Sequence, residues 1–187
     1  MRIIAGKFKG CTLYTLEGNN TRPTLDRVKE SVFNILGNSF FDTYVLDLFA
    51  GSGALGLESI SRGAKFCDFV DMSKDAINII KKNIDKCRAN EFSKVYQSEY
   101  KDAIKKLNNN KKYDFIFLDP PYGKDMGIEA ISLLDDITDE NSVIILETDS
   151  TDNVPDKIDM FYRYDTRKYG RVVISFFKKE GFLDGGS

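Results

Sequence analysis

Val45-Leu46-Asp47-Leu48-Phe49-Ala50-Gly51-Ser52-Gly53 joins an apolar run to a glycine turn, and Ala54-Leu55-Gly56-Leu57-Glu58 opens a helix directly after it. Strand, glycine turn and helix in that order begin a nucleotide-binding α/β unit. Glycines at 51 and 53 let the backbone approach a ligand with no Cβ in the way. Asp71 stands at the end of the next apolar run, Phe66 to Val70, where a carboxylate at a strand tip accepts both hydroxyls of a ribose. Gly51 to Gly56 also fits the pattern G-x-G-x-x-G, which admits a nicotinamide dinucleotide as readily as S-adenosylmethionine.

A second run separates those two. Phe115-Ile116-Phe117-Leu118 reads as a buried parallel strand and is followed at once by Asp119-Pro120-Pro121-Tyr122. Two prolines remove two backbone donors and hold the chain in an extended turn. An acid and an aromatic ring are thereby left at a strand's carboxyl end, the edge where open α/β sheets bind ligands. The carboxylate and a proline carbonyl can accept the N–H hydrogens of an exocyclic amine while the phenol ring stacks on the base. That is chemistry for methylating an amine, and a dehydrogenase has no need of it. The plainer reading is a proline stop beside an incidental surface tyrosine.

Around these motifs the pattern alternates. Helices are predicted at 54–62, 74–88 (capped by Ser73, with Ile77, Ile80, Ile84 and Cys87 inward), 100–107 and 126–135, and strands at 45–49, 66–70, 94–97, 113–118 and 142–147. Such alternation means a parallel sheet covered on both faces. Met160 to Tyr164 and Val172 to Phe177 flank Arg167-Lys168-Tyr169-Gly170 and predict a closing antiparallel hairpin. The result is an α/β, Rossmann-like sheet of the class I methyltransferase type. Ahead of it, residues 1–20 predict a small β-hairpin pairing Arg2-Ile3-Ile4 with Thr12-Leu13-Tyr14. Thr24 then caps a helix with Leu25, Val28, Val32, Ile35 and Leu36 on its buried face and Arg27, Lys29, Glu30 and Asn34 opposite. The expected division is an extension over 1–40, a catalytic domain over 41–180 and a loose tail over 181–187.

The chain has 187 residues, enough for one well-packed α/β domain with a small appendage. Its 3 cysteines, Cys11, Cys67 and Cys87, form no C-x-x-C pair, so they predict neither a disulfide framework nor a zinc site. With no signal-peptide core and no apolar stretch near the ~20 residues of a membrane span, the expectation is a reduced cytoplasmic protein away from membranes. Histidine is absent, which excludes a histidine base or metal ligand. The net charge of -2 is unevenly spread: before Glu30 stand Arg2, Lys7, Lys9, Arg22, Arg27 and Lys29 against Glu17 and Asp26. Such a segment is either a phosphate-contacting arm or a solvated surface short of acids.

Arg2-Ile3-Ile4-Ala5-Gly6-Lys7-Phe8-Lys9-Gly10, then Arg22-Pro23-Thr24-Leu25-Asp26-Arg27-Val28-Lys29-Glu30, then Asp47 to Gly53 and Asp119 to Tyr122 together resemble the RsmD family from residue 2 to about residue 178. Members are bacterial enzymes that methylate N2 of a guanine in 16S ribosomal RNA with S-adenosyl-L-methionine. The first two motifs are the most diagnostic, since many amino methyltransferases share the others. Glu99 departs from the pattern, standing where many members carry a shorter polar residue.

The resemblance implies that Gly51, Ser52 and Gly53 line the methionine part of the cofactor, with Asp47 near its amino group, Asp71 on the ribose and Glu99 toward the adenine. Arg22, Pro23 and Thr24 would lie over the cofactor. Asp119, Pro120 and Tyr122 would hold the guanine. Lys7 and Lys9, with Arg167, Lys168 and Arg171 of the closing hairpin, would meet RNA phosphates. The implied partner is 16S rRNA within small-subunit particles, met by a monomer that needs no metal. Two alternatives stay open: an adenine-N6 DNA methyltransferase, disfavoured by the lack of a stretch long enough for a DNA-reading insertion, and a nicotinamide-binding oxidoreductase or silent nucleotide-binding domain.

Overall fold

Short apolar runs bounded by charged or glycine-containing segments fold into strands, and amphipathic runs between them into helices. The computed structural model describes residues 1–16, 23–37, 39–108, 111–121 and 125–180, with Pro23 to Leu25 by backbone alone. Two compact units divide the chain, Met1–Tyr100 and Lys101–Ser187. The loose tail expected over 181–187 lies outside the described residues.

In the first unit, helix α1 (Pro23–Leu36) precedes strand β1 (Tyr44–Asp47), helix α2 (Ala54–Ser61), strand β2 (Phe66–Asp71), helix α3 (Lys74–Cys87) and strand β3 (Ser93–Gln97). The strands run parallel in the order β3-β2-β1, with Asp47 opposite Phe69 and Asp71 opposite Gln97. Helix α3 starts where expected, the Ser73 hydroxyl accepting the Ala76 N–H. Gly56 belongs to the packing of this layer, because a Cβ there would lie 2.3 Å from the buried Phe69 ring and 2.6 Å from the Cys67 sulfur.

Helix α4 (Tyr100–Leu107) carries the chain into the second unit, which holds β4 (Phe115–Leu118), α5 (Met126–Ser132), β5 (Val143–Asp149), β6 (Lys157–Ile158), β7 (Phe161–Tyr169) and β8 (Val172–Lys179). Its strand order is β4-β5-β8-β7-β6, parallel between β4 and β5 and antiparallel from β5 onward. All of β4 is buried. Helix α5 ends three residues earlier than predicted, and Asp135–Ile137 forms a 3₁₀ turn instead. Two acids at a helix C-terminus oppose its dipole, which accounts for the early stop. The closing hairpin is longer than predicted: Arg167 pairs with Ile174 and Lys168 with Val173, leaving Gly170-Arg171 as the turn, with Gly170 at φ 64.

The opening segment differs most from expectation. Arg2 and Thr12 make one antiparallel bridge, supported by Ile3 N–H to Cys11 O and Gly10 N–H to Ile3 O, each 2.9 Å. This arm lies on α2. The Glu58 carboxylate, fully buried, accepts the Ile4 and Ala5 N–H groups at 2.8 and 3.0 Å. Gly6 seats directly on the end of α2, where a Cβ would meet the Ser61 carbonyl oxygen at 1.8 Å. Lys29, expected on the outer face of α1, is 4% exposed; its ammonium reaches Glu58 at 3.1 Å and donates to the Arg2 carbonyl at 2.6 Å. Phe33 takes the inward place assigned to Ile35, which is 38% exposed. Residues 28, 29, 32, 33 and 36 make one helical face, and the buried acid is what draws a lysine onto it. Helix α1 also opens at Pro23, one residue ahead of the predicted Thr24 cap, at the position where a missing N–H costs nothing.

Three thiols are free, and the fold brings two of them together: Cys11 and Cys87, far apart in sequence, have sulfurs 3.3 Å apart. Burial and the neighbouring Cys11 thiol push the Cys87 thiol up to about 12.

Glu58→Gln turns one acceptor oxygen into a donor facing donors and leaves the buried Lys29 uncompensated. It should destabilise the protein by about 3 to 5 kcal/mol, read as a lower denaturation midpoint, and should speed tryptic cleavage after Lys7 and Lys9. An unchanged midpoint and cleavage rate would remove Glu58 as the anchor of the arm.

Candidate functional site

Three acids mark successive strand ends in the first unit. Asp47 closes β1, Asp71 closes β2, and Glu99 follows β3 by two positions, half-buried. Asp71 knits two turns: Oδ2 accepts the Gly51 N–H at 2.9 Å and Oδ1 the Ser73 N–H at 2.8 Å. The Ser98 N–H bonds the Asp71 carbonyl at 3.0 Å, which seats Glu99 beside the same strand end. Gly51 and Gly53 have φ of 55 and 77. A Cβ on Gly51 would meet nothing within 4 Å among the described residues, so the turn presents backbone of the kind a ligand can approach closely.

Asp47 is buried, and its Oδ2 accepts the Gly56 N–H at 3.0 Å. Burial pushes its carboxyl up to about 7, with Asp71 adding in the same direction and the Gly56 N–H opposing. Its folded value lies above the ordinary 3.8, so the folded chain holds its proton across pH 4 to 7 while the unfolded chain has released it. Stability therefore falls as pH rises through that window and levels off above it. Asp47→Asn keeps an acceptor for Gly56 and removes the titration. Its unfolding midpoint should exceed the wild type's at pH 8, and the difference should shrink toward pH 4; a constant difference would refute the shift.

Sequence reading passed over three residues here. Asn83 is fully buried on α3: its Oδ1 accepts the Tyr14 N–H, and its Nδ2 donates to the carbonyls of Tyr14 and Ser52, at 2.8 to 2.9 Å. A lone amide three positions after inward Ile80 was the available signal. Met72, 69% exposed beside Asp71, offers an apolar face to a flat ring. Glu58 ties the arm down as described. Arg22 lies outside the described residues, and Pro23 and Thr24 are placed by backbone in the first turn of α1.

In the second unit, Asp119 follows the buried β4 and is exposed, while Pro120 is buried against α5. A Cβ on Gly127 would lie 3.3 Å from the Pro120 ring and 2.4 Å from Leu146, so a glycine lets α5 close on the proline turn. Beside it a pocket of about 210 Å³ is lined by Pro120, Pro121, Ile128, Leu146, Thr148 and Val154 among others, with Asp125, Glu147 and Asp152 but no cation among the described residues. The buried Thr148 hydroxyl has no hydrogen-bond partner among the described residues. Apolar walls and acceptors suit a flat ring bearing N–H groups, and repel phosphate. Tyr122 lies outside the described residues. No group of three or more potential metal ligands occurs among the described residues.

The cations expected to meet RNA differ in their surroundings. Lys7 sits 4.7 Å over the Phe92 ring and Lys9 is exposed. Arg167 pairs with Asp165 and Arg171 with Asp149, each at 2.9 Å, while Lys168 is exposed on β7. Hydrogen bonds from Thr151, assisted by Arg171, hold the Asp149 carboxyl below its ordinary value.

Strand-end acids around a glycine turn, with a parallel sheet continuing into antiparallel strands, define a class I methyltransferase fold. The solved structure of yhhF from Escherichia coli, 30% identical, matches with a TM-score of 0.84 over 96% of this chain and 98% of its own. YlbH of Bacillus subtilis is 35% identical over 184 residues, 97% of this chain and 100% of its own length. The ribosomal RNA small subunit methyltransferase D of Haemophilus influenzae is 40% identical over 153 residues, 80% of this chain and 79% of its own. A family model described as Conserved hypothetical protein 95 matches residues 1–178. The chain belongs to that family, the RsmD family of S-adenosylmethionine-dependent rRNA methyltransferases. No helix among the described residues is long and apolar enough to cross a membrane.

Proposed function

We propose that this protein transfers a methyl group from S-adenosyl-L-methionine to the exocyclic N2 of a guanine in 16S rRNA, acting as a cytoplasmic monomer on small-subunit particles. The observation that carries the reading is the Asp119-Pro120-Pro121 turn at the end of a fully buried strand, in a chain matched by the family along nearly its whole length. In this reading the first 40 residues face RNA, residues 41–180 perform the chemistry, and Lys7, Lys9, Arg167, Lys168 and Arg171 are the candidate phosphate contacts.

The chain's residues fit the cofactor. Gly51, Ser52 and Gly53 would border its methionine part, and Asp47 would accept from its amino group. Asp71 would take the ribose hydroxyls, with Met72 and Glu99 toward the adenine, and Arg22, Pro23 and Thr24 would lie over the cofactor. Bound S-adenosylmethionine would supply a methyl group already activated on a sulfonium. The guanine amine is a poor nucleophile because its lone pair is delocalised into the ring. An Asp119 carboxylate and a Pro120 carbonyl held off the base plane would draw its hydrogens out of that plane and free the lone pair. Tyr122 would stack on the base, a contribution of about 1 to 3 kcal/mol. Positioning would then supply most of the acceleration, ~7 kcal/mol or more.

Two substitutions separate the roles. Asp71→Ala should weaken S-adenosylmethionine binding by about 1 to 3 kcal/mol in calorimetry. Asp119→Ala should abolish most methyl transfer to undermethylated small-subunit particles and leave cofactor affinity nearly unchanged, with Asp119→Asn intermediate in rate. Wild-type activity in Asp119→Ala would overturn the mechanism, and mass spectrometry that finds the new methyl group on an adenine would overturn the guanine assignment.

A further inference from the structure

We propose that the groove between the arm and α1, edged by Arg2, Lys9 and Arg27, binds the sugar-phosphate backbone of the substrate RNA. The inference rests on the rRNA reading above and selects one of its candidate surfaces. The groove measures about 430 Å³, with Arg2, Lys9 and Gly10 on its arm side and Asp26, Arg27 and Glu30 on its α1 side. All three cations are exposed, and none makes an ion pair among the described residues. On the rival surface of the closing hairpin, Arg167 and Arg171 already spend their charge on Asp165 and Asp149, which leaves exposed Lys168 alone of its three candidates. Lys7 is turned aside over Phe92.

The groove is also held rigid. Lys29 leaves α1 beside Arg27, donates to the carbonyl of Arg2 itself and pairs with buried Glu58, whose carboxylate holds the next two arm residues but one. The backbone of both walls is thus held before RNA arrives, so only the three exposed side chains are left to order on binding. Asp26 and Glu30 between the cations decide what kind of polyanion fits. They repel phosphate at the α1 edge but accept hydrogen bonds from ribose 2′-hydroxyls, which RNA has and DNA lacks. One carboxylate oxygen of Asp26 is buried without a hydrogen-bond partner among the described residues.

The test measures binding of the full-length protein to in vitro transcribed 16S rRNA, and to DNA of the same sequence, across a series of salt concentrations. The double variant Lys9→Gln/Arg27→Gln should bind rRNA at least about tenfold more weakly, and its slope of log K against log salt should be shallower by about 1.4 to 1.8, two phosphate contacts' worth. Lys81→Gln/Lys82→Gln, an equal charge change on α3, should alter affinity less than twofold. The single variant Lys9→Gln, at an exposed arm position, should show half the slope change and guards against misfolding of the double. Wild-type affinity and slope in the groove variants, a larger loss from Arg167→Gln/Arg171→Gln, or tighter binding to DNA than to RNA would each overturn the groove. If the groove variants bind normally while the wild type still methylates a guanine, only the groove fails; if the wild type neither binds nor methylates rRNA, the proposed function fails with it.

Discussion

A single buried carboxylate holds the amino-terminal half of the first unit together. Glu58 lies on α2 with no exposure and accepts from four donors: two arm amides, the Lys29 ammonium and the Arg62 guanidinium. Placing a charge there is costly unless every lone pair is used, and here the donors come from three separate segments. Among the described residues the arm has only one bridge of its own, and it has too few apolar residues to fold alone. Its order is borrowed from α2, through Glu58, the Ser61 hydroxyl and the close seat of Gly6.

That dependence explains what the sequence disclosed and what it hid. Elements set by local patterning were legible: α3 with its Ser73 cap, the buried β4 ahead of two prolines, and the glycine turn between β1 and α2 all follow from residues within a few positions of each other. Lys29 was misplaced because its burial is set by an acid on another helix, and a charged residue read in isolation is always assigned to solvent. The closing hairpin was cut short for a related reason. Arg167 and Lys168 look like turn residues, yet they alternate along an edge-side strand whose partners lie across Gly170.

Within the candidate site the same division holds. Asp71 and the glycines were readable because a strand, a turn and a carboxylate recur at a fixed spacing, and the Gly51 to Asp71 hydrogen bond gives that spacing its reason. Asn83 carried no such spacing. Its three hydrogen bonds reach the arm and the glycine turn, and only the folded chain assembles them. Asp119 and Pro120 were legible from two adjacent prolines, whereas the glycine at 127 that lets α5 close on them acquires meaning only through Leu146.

Gly6 and Tyr14 pin the arm at both ends, one against the Ser61 carbonyl and the other in the grip of the Asn83 amide. The chain between them therefore has a fixed span to cover, and lengthening it anywhere near either pin would pull an anchor from its seat. At Gly10 the limit is the backbone and not space, since a Cβ there would meet nothing within 4 Å among the described residues while its φ of 86 favours glycine. Sequence drift in this segment has one outlet: added residues can bulge outward at the tip of the arm, on the rim of the groove, and change what the arm touches while leaving how it is held intact.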